Sequence, residues 1–369
     1  MIHKRALKME EGYPFFENTI DPGSGQVCNA DVLESICQIA IREFAGDALS
    51  KELANYVNNK WDYPYINVNF RFSDKYVRNT FKAPTKRQIF SNLNRLMEEI
   101  SDALKSGDIM CEPLDEIIDR IRGKMSENDS RSEKTFDPSL SDDVKRLREI
   151  LSDCEVCNDA AGPRLSYWKG RLDRVYGGMR SLAAIRLGEF RSSKAKRKTG
   201  TITLYTTAIA NSAKAQAIPF ETVFFSTLIH EYFHALHYQL FKQQGIEDRW
   251  SEKWCDGERR IVQETLAAFY EWYSCEYGFL LAEHPNAHEL ASHLMENWES
   301  LDIDLWPYSG ALVLADRVNN SPTLGKLFFR LLEMSFTNWS LAAKAIKSLY
   351  YMPLTGLGKV ELDLDRYKP

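Results

Sequence analysis

The five residues His230-Glu231-Tyr232-Phe233-His234 have the types and spacing of a metal site. On a helix, positions i and i+4 are neighbours on one face, roughly 6 Å apart, so both imidazoles can reach one cation. Glu231 projects beside that face, placed to take a proton from a polarised water without itself being a ligand. The chemistry expected of such a set is hydrolysis by activated water. Zinc (Zn2+) is the expected ion, while two histidines and a carboxylate also accept other divalent metals.

The motif lies in an apolar stretch, residues 218–241, where an unpartnered histidine is costly to bury. The opposing reading, two histidines hydrogen-bonded in a core, accounts for neither the spacing nor Glu231. A catalytic ion needs a third protein ligand and an open fourth position. His237 is near in sequence, but on an unbroken helix it stands about 10.5 Å along the axis from His230. Three consecutive turns cannot converge on one ion, so His237 is expected at the surface or behind the ligands. Glu264 is the better candidate. It sits on the next strong helix, past a loop with Gly245, Asp248 and Gly257, and Ala267 and Ala268 let two helices approach closely. The alternative is that Glu264 is a surface carboxylate. His284, His288 and His293 form a second cluster, but Pro285 disfavours a helix through His284 and His293 falls one residue too late to repeat the pattern. That cluster reads as the polar start of a helix.

A strand, an HExxH helix and a glutamate-centred helix together resemble the gluzincin class of zinc metallopeptidases. The short spacing and the segment Glu264-Thr-Leu-Ala-Ala-Phe269 look more like its minigluzincin branch than its thermolysin-like one. The metzincin pattern fits less well, because it has a glycine where this chain has His237 and a histidine where it has Leu240. The gluzincin resemblance covers roughly residues 200–280 and leaves out 1–160. It implies cleavage of amide bonds in a peptide or protein substrate, with His230, His234 and Glu264 as zinc ligands and Glu231 as general base. In the thermolysin-like pattern an acid four residues after the glutamate ligand orients a histidine. Here that place is Ala268, and Glu271 is the candidate replacement. The resemblance also implies a side chain that stabilises the oxyanion. Tyr308 is the candidate, with Tyr270 and Tyr273 as rivals. An extended substrate would align along residues 201–206. The alternative function is a non-catalytic zinc-binding interaction or regulatory protein built on the same fold. An intact Glu231 counts against it, since a purely structural site needs no base.

These residues need elements to position them. Tyr65–Phe72 alternates apolar and polar residues at the period of a half-buried strand, and a strand also opens at Gly200 in GTITLYTTAI. Residues 218–241 read as an amphipathic helix and Arg259–Glu276 as a second one. Ala30–Asn58 reads as helix, with Gly46 as a break. Thr85 and Gln88 form a capping-box signature for a helix that Gly107 closes. Ser321-Pro322 has the pattern of a helix start. The fold class expected is α+β and mostly helical: a small sheet, the HExxH helix and the glutamate-ligand helix, with an N-terminal mainly helical region. The polar stretch 126–143 reads as a linker between a helical domain (1–125) and a metallopeptidase-like domain (144–369).

In the 369-residue chain, 44% hydrophobic residues suffice for a sizeable core. A net charge of −5 gives no electrostatic case for nucleic acid or a membrane surface, and the basic run 191–200 reads as a solvated loop. No stretch approaches the roughly 18 apolar residues of a membrane span. The N-terminus lacks the apolar run of a signal peptide, so the expected compartment is the cytoplasm. Seven cysteines, an odd number, suit reduced thiols. Cys154-Glu-Val-Cys157 has half the spacing of a zinc ribbon without the other half, and reads as two helical cysteines.

Overall fold

Apolar residues three and four apart make the first helix: α1 (Ala30–Phe44) buries Leu33, Ile36, Cys37, Ala40 and Ile41 along one side. α2 (Ala48–Asn58) follows, so the expected helical stretch is two helices, one on either side of Gly46. The computed structural model describes residues 16–351 except 17, 45–47, 61–65, 79–83, 112, 130–137, 158–160, 196, 252–255, 279, 281–283, 285, 299–301 and 319–324. Gly46, Tyr65, Pro285 and the Ser321-Pro322 helix start lie outside the described residues. β1 (Val68–Ser73) keeps the expected alternation, with Val68 and Phe70 buried and Asn69 and Arg71 exposed.

The chain then enters a second unit. α3 (Lys86–Lys105) starts with the expected capping box: the Thr85 side chain accepts from the Gln88 N–H, and Gln88 Oε1 accepts from the Thr85 N–H at 2.9 Å. β2 (Ile109–Met110), α4 (Leu114–Asp129), α5 (Pro138–Asp153), β3 (Glu155–Val156) and α6 (Ala161–Ala183) follow. Leu93, Leu96, Ile121, Leu147 and Leu172 supply a core shared by α3 to α6. Asp143 fixes α5 to α4 through Arg120 at 3.0 Å and Lys124 at 2.5 Å. Cys154 and Cys157 flank β3 instead of lying in a helix.

Back in the first unit, β4 (Gly188–Ser192) leads into β5 (Gly200–Tyr205), and the basic run forms the end of β4 and the loop between them. α7 (Thr206–Gln216), α8 (Phe220–Gln243), α9 (Asp256–Glu276), α10 (Ala287–Trp298), α11 (Ala311–Val318), α12 (Gly325–Thr337) and α13 (Trp339–Tyr350) complete the described elements. The expected strand from Gly200 stops at Tyr205. Beyond it the alanine-rich TTAIANSAKAQ is helical, because alanine favours helix more than the alternation favours strand.

The sheet order is β1-β5-β4, with β1 parallel and β4 antiparallel to β5. β5 is therefore central, and a substrate cannot pair along residues 201–206, since both edges of that strand are used. The β1–β5 pairing also settles the division of the chain. Residues 1–77, 186–299 and 307–369 form one unit, and 78–185 with 300–306 the other. This differs from the expected boundary at 126–143, which falls inside the second unit. The N-terminal strand is hydrogen-bonded to the strand that precedes the HExxH helix, and α6 shares its core with α3 to α5.

α8 is buried on nearly every side from Phe220 to Phe241, packed by α1, α7, α9, β4 and β5. The expected amphipathic helix is thus a central one. Among the described residues the class is α+β and mostly helical, and no helix is long and apolar enough to cross a membrane.

Candidate metal centre

α8 and α9 pack side by side and bring three ligand-type atoms together. His230 Nε2 lies 3.2 Å from Glu264 Oε2 and 3.2 Å from His234 Nε2, and His234 Nε2 lies 3.5 Å from Glu264 Oε2. Atoms bound about 2.0–2.1 Å from a tetrahedral ion are separated by roughly 3.3–3.4 Å. The three edges match one face of that tetrahedron, so the donor set fits a divalent metal of zinc's size and leaves one position open. Among the described residues this is the one cluster of three or more such side chains with metal-ligand spacing.

The His230 ring spans two turns of α9. Its Nδ1 lies 3.0 Å from Glu271 Oε2, while Nε2 faces Glu264. Glu264 and Glu271 are seven residues apart and so share a helix face. Ser226, one turn before His230, donates its hydroxyl to the other oxygen of Glu271. Glu271 thereby holds a proton on Nδ1 and leaves the Nε2 lone pair for a ligand. Glu271 fills the place that Ala268 leaves vacant. Ser226 was not foreseen, although its position on the same face of α8 is a helical-spacing signal.

Burial opposes charge on His230, but the bonded carboxylates of Glu264 and Glu271 outweigh it and raise its pKa well above the usual value. Burial raises Glu264, while His234 and His230 outweigh that and hold it well below the usual carboxylate range. His230 and Glu264 thus favour one another's charged forms, and a cation bound there would compete with the proton for His230 Nε2.

Glu231 is buried beside the cluster and makes none of these ligand contacts. Burial pushes its carboxyl up, against the opposing pull of His234 and His230, which suits a general base. Gly188, at the start of β4, fixes its place. A Cβ there would lie 2.7 Å from Glu231 Cγ and 2.9 Å from Oε1, closer than packing allows. Nothing in the sequence singled out Gly188 beyond its being a glycine in a strand.

Tyr308 sits in a 3-10 turn, Pro307–Gly310, with its ring edge-on to His230 and centroids 5.7 Å apart. Thr265, next to Glu264, donates its hydroxyl to the Pro307 carbonyl at 3.3 Å, and Gly310 lies so close to Thr265 that no side chain fits. The turn is therefore seated on α9 at the ligand. The rival Tyr270 packs on Phe233 and Tyr273 on Phe269.

Two histidine expectations change. His237 is neither at the surface nor behind the ligands. It is wholly buried among Phe233, Phe241, Trp250, Phe336 and Trp339, with Nε2 2.8 Å from Ser335 Oγ. His237 shares the side of α8 that carries His230 and His234, two turns beyond His230, and because α8 is buried all round that stretch of the helix also meets core. His284 is buried against Phe225 ahead of α10, while His288 pairs with Glu276 at 2.8 Å on α10's first turn.

Compared with known families, curated proteins and solved structures, the chain matches none.

Two expectations follow from these contacts. Glu271→Gln should weaken divalent-metal affinity about 10- to 100-fold, measured by competition with a chromogenic chelator; unchanged affinity would show that Glu271 does not tune His230. Burial pushes His237 down to about 3, below the unfolded value near 6.5. At neutral pH both states are uncharged there, and as pH falls the unfolded state alone takes the proton. Stability should therefore fall from this residue by about 1.4 kcal/mol per pH unit between about 6.5 and 3. Urea unfolding of His237→Phe should show a shallower acid slope than wild type, and equal slopes would contradict the assignment.

Proposed function

We propose that the chain is a zinc-dependent peptidase of gluzincin type, with His230, His234 and Glu264 as metal ligands. The observation that carries the reading is the match of the 3.2, 3.2 and 3.5 Å triangle to one ligand face, with a buried carboxyl beside it that is not a ligand. An ion bound there supplies Lewis acidity, which lowers the pKa of water and polarises a carbonyl. Glu231 accepts the proton of the attacking water and passes it to the leaving amine. The Tyr308 hydroxyl donates to the oxygen that gains charge. Glu271 and Ser226 hold the His230 ring in its ligand orientation.

The substrate is a peptide in extended form. Among the described residues β4 is an edge strand, and its first residue, Gly188, packs against Glu231. A peptide added along its outer edge passes the base with its own backbone hydrogen bonds satisfied. Pairing on β4 replaces the alignment with residues 201–206.

A peptide library incubated with the metal-loaded protein tests the reading. Wild type should cleave, and Glu231→Gln should lose about a hundred- to ten-thousandfold in rate while keeping its metal. Gly188→Ala should also keep metal and lose about a hundredfold, because it displaces the base by about an ångström. Metal-loaded wild type that cleaves nothing would favour the non-catalytic zinc-binding alternative.

A further inference from the structure

Cys111 and Cys154 end the two-stranded ladder of the second unit. β2 pairs antiparallel with β3, with Ile109 opposite Val156 and Met110 opposite Glu155. One step further along the same register, Cys111 stands opposite Cys154. The ladder's parity is fixed by the Cys157 N–H, which donates to the Asp108 carbonyl at 3.2 Å and makes that couple a hydrogen-bonded pair. Pair types alternate along an antiparallel ladder, so Cys111 and Cys154 fall at a non-hydrogen-bonded position. There the Cα atoms are about 4.5 Å apart and side chains are closest, inside the roughly 4.4–6.8 Å span that a disulfide needs. The side chains agree with the backbone. Both thiols reach the same Ile150 carbonyl, at 4.0 Å from Cys111 and 3.3 Å from Cys154. Both are half-buried, within reach of a small oxidant.

We propose that Cys111 and Cys154 are an oxidation site, at which a hydroperoxide forms a reversible disulfide across β2 and β3. Burial and the neighbouring thiol push Cys154 up to about 12. The Cys111 thiolate attacks a peroxide oxygen, the O–O bond breaks, and a sulfenic acid forms with hydroxide (or alkoxide), which takes up the thiol proton. Cys154 then attacks that sulfur, the S–S bond forms, the S–O bond breaks, and water leaves. The two sulfurs lose the two electrons that the peroxide gains, and a dithiol reverses the bond. The closed loop carries α4 and α5, so the staple constrains the unfolded state of the second unit.

The test is peptide mapping of the full-length chain under non-reducing conditions, after hydrogen peroxide and alkylation. The expected product is a Cys111–Cys154 linked peptide that dithiothreitol separates, with a melting temperature several degrees higher in the oxidised protein. Cys157→Ser should keep both the link and the rise, and Cys111→Ser should lose both. A Cys154–Cys157 link, or sulfinic acid and unlinked thiols only, would overturn the proposal. Should Cys111→Ser fail to fold, the wild-type map and its melting shift decide alone.

Discussion

The imidazole of His230, held at both ends by carboxylates two turns apart on α9, is the contact on which the rest of the site depends. It fixes the rotation and height of α8 against α9. His234, one turn on, then meets the same Glu264 oxygen, and Ser226, one turn back, meets Glu271. Thr265 and Gly310 use the next position of α9 to seat the turn that carries Tyr308. On the other side of α8, Gly188 brings β4 against Glu231. One pair of packed helices thus sets four positions around a space of atomic size.

The charge balance of this interior points the same way. Glu231, Glu264 and Glu271 bring three carboxyl groups to one small, mostly buried region. Buried carboxylates are costly unless paired or bound to metal. The proton on His230 compensates part of that charge, and Arg186 acts on Glu231 from near β4. A divalent cation would offset more of it, held by the ring nitrogens of His230 and His234, which stand 3.2 Å apart.

The grouping of the candidate site residues was more legible in the sequence than the pairing of the strands. His230, Glu231, His234, Glu264 and Glu271 lie on two helices, and helical spacing carries geometry directly. The structure brings the three predicted ligands and Glu271 together and places Tyr308 beside His230. Gly188 was hidden because the approach of a strand to a helix leaves no local pattern. The division into units was hidden for a similar reason: Val68 pairs with Gly200 across a long stretch of chain that folds as its own helical unit. His237 was misplaced because a histidine on an apolar helix shows which face it is on, but not whether that face meets solvent or a ring of aromatics. The Cys154–Cys157 spacing suggested a helix, whereas the two-residue strand between them is set by pairing with β2.

The most direct measurement is elemental mass spectrometry of metal on purified wild type and Glu264→Ala, loaded with zinc and desalted in parallel. The expected result is one zinc per chain in wild type and a sharp loss in the variant, whose two histidines lack the third donor. Wild type that holds no metal after loading would contradict the metal centre, and equal zinc in both proteins would contradict Glu264 as its third ligand.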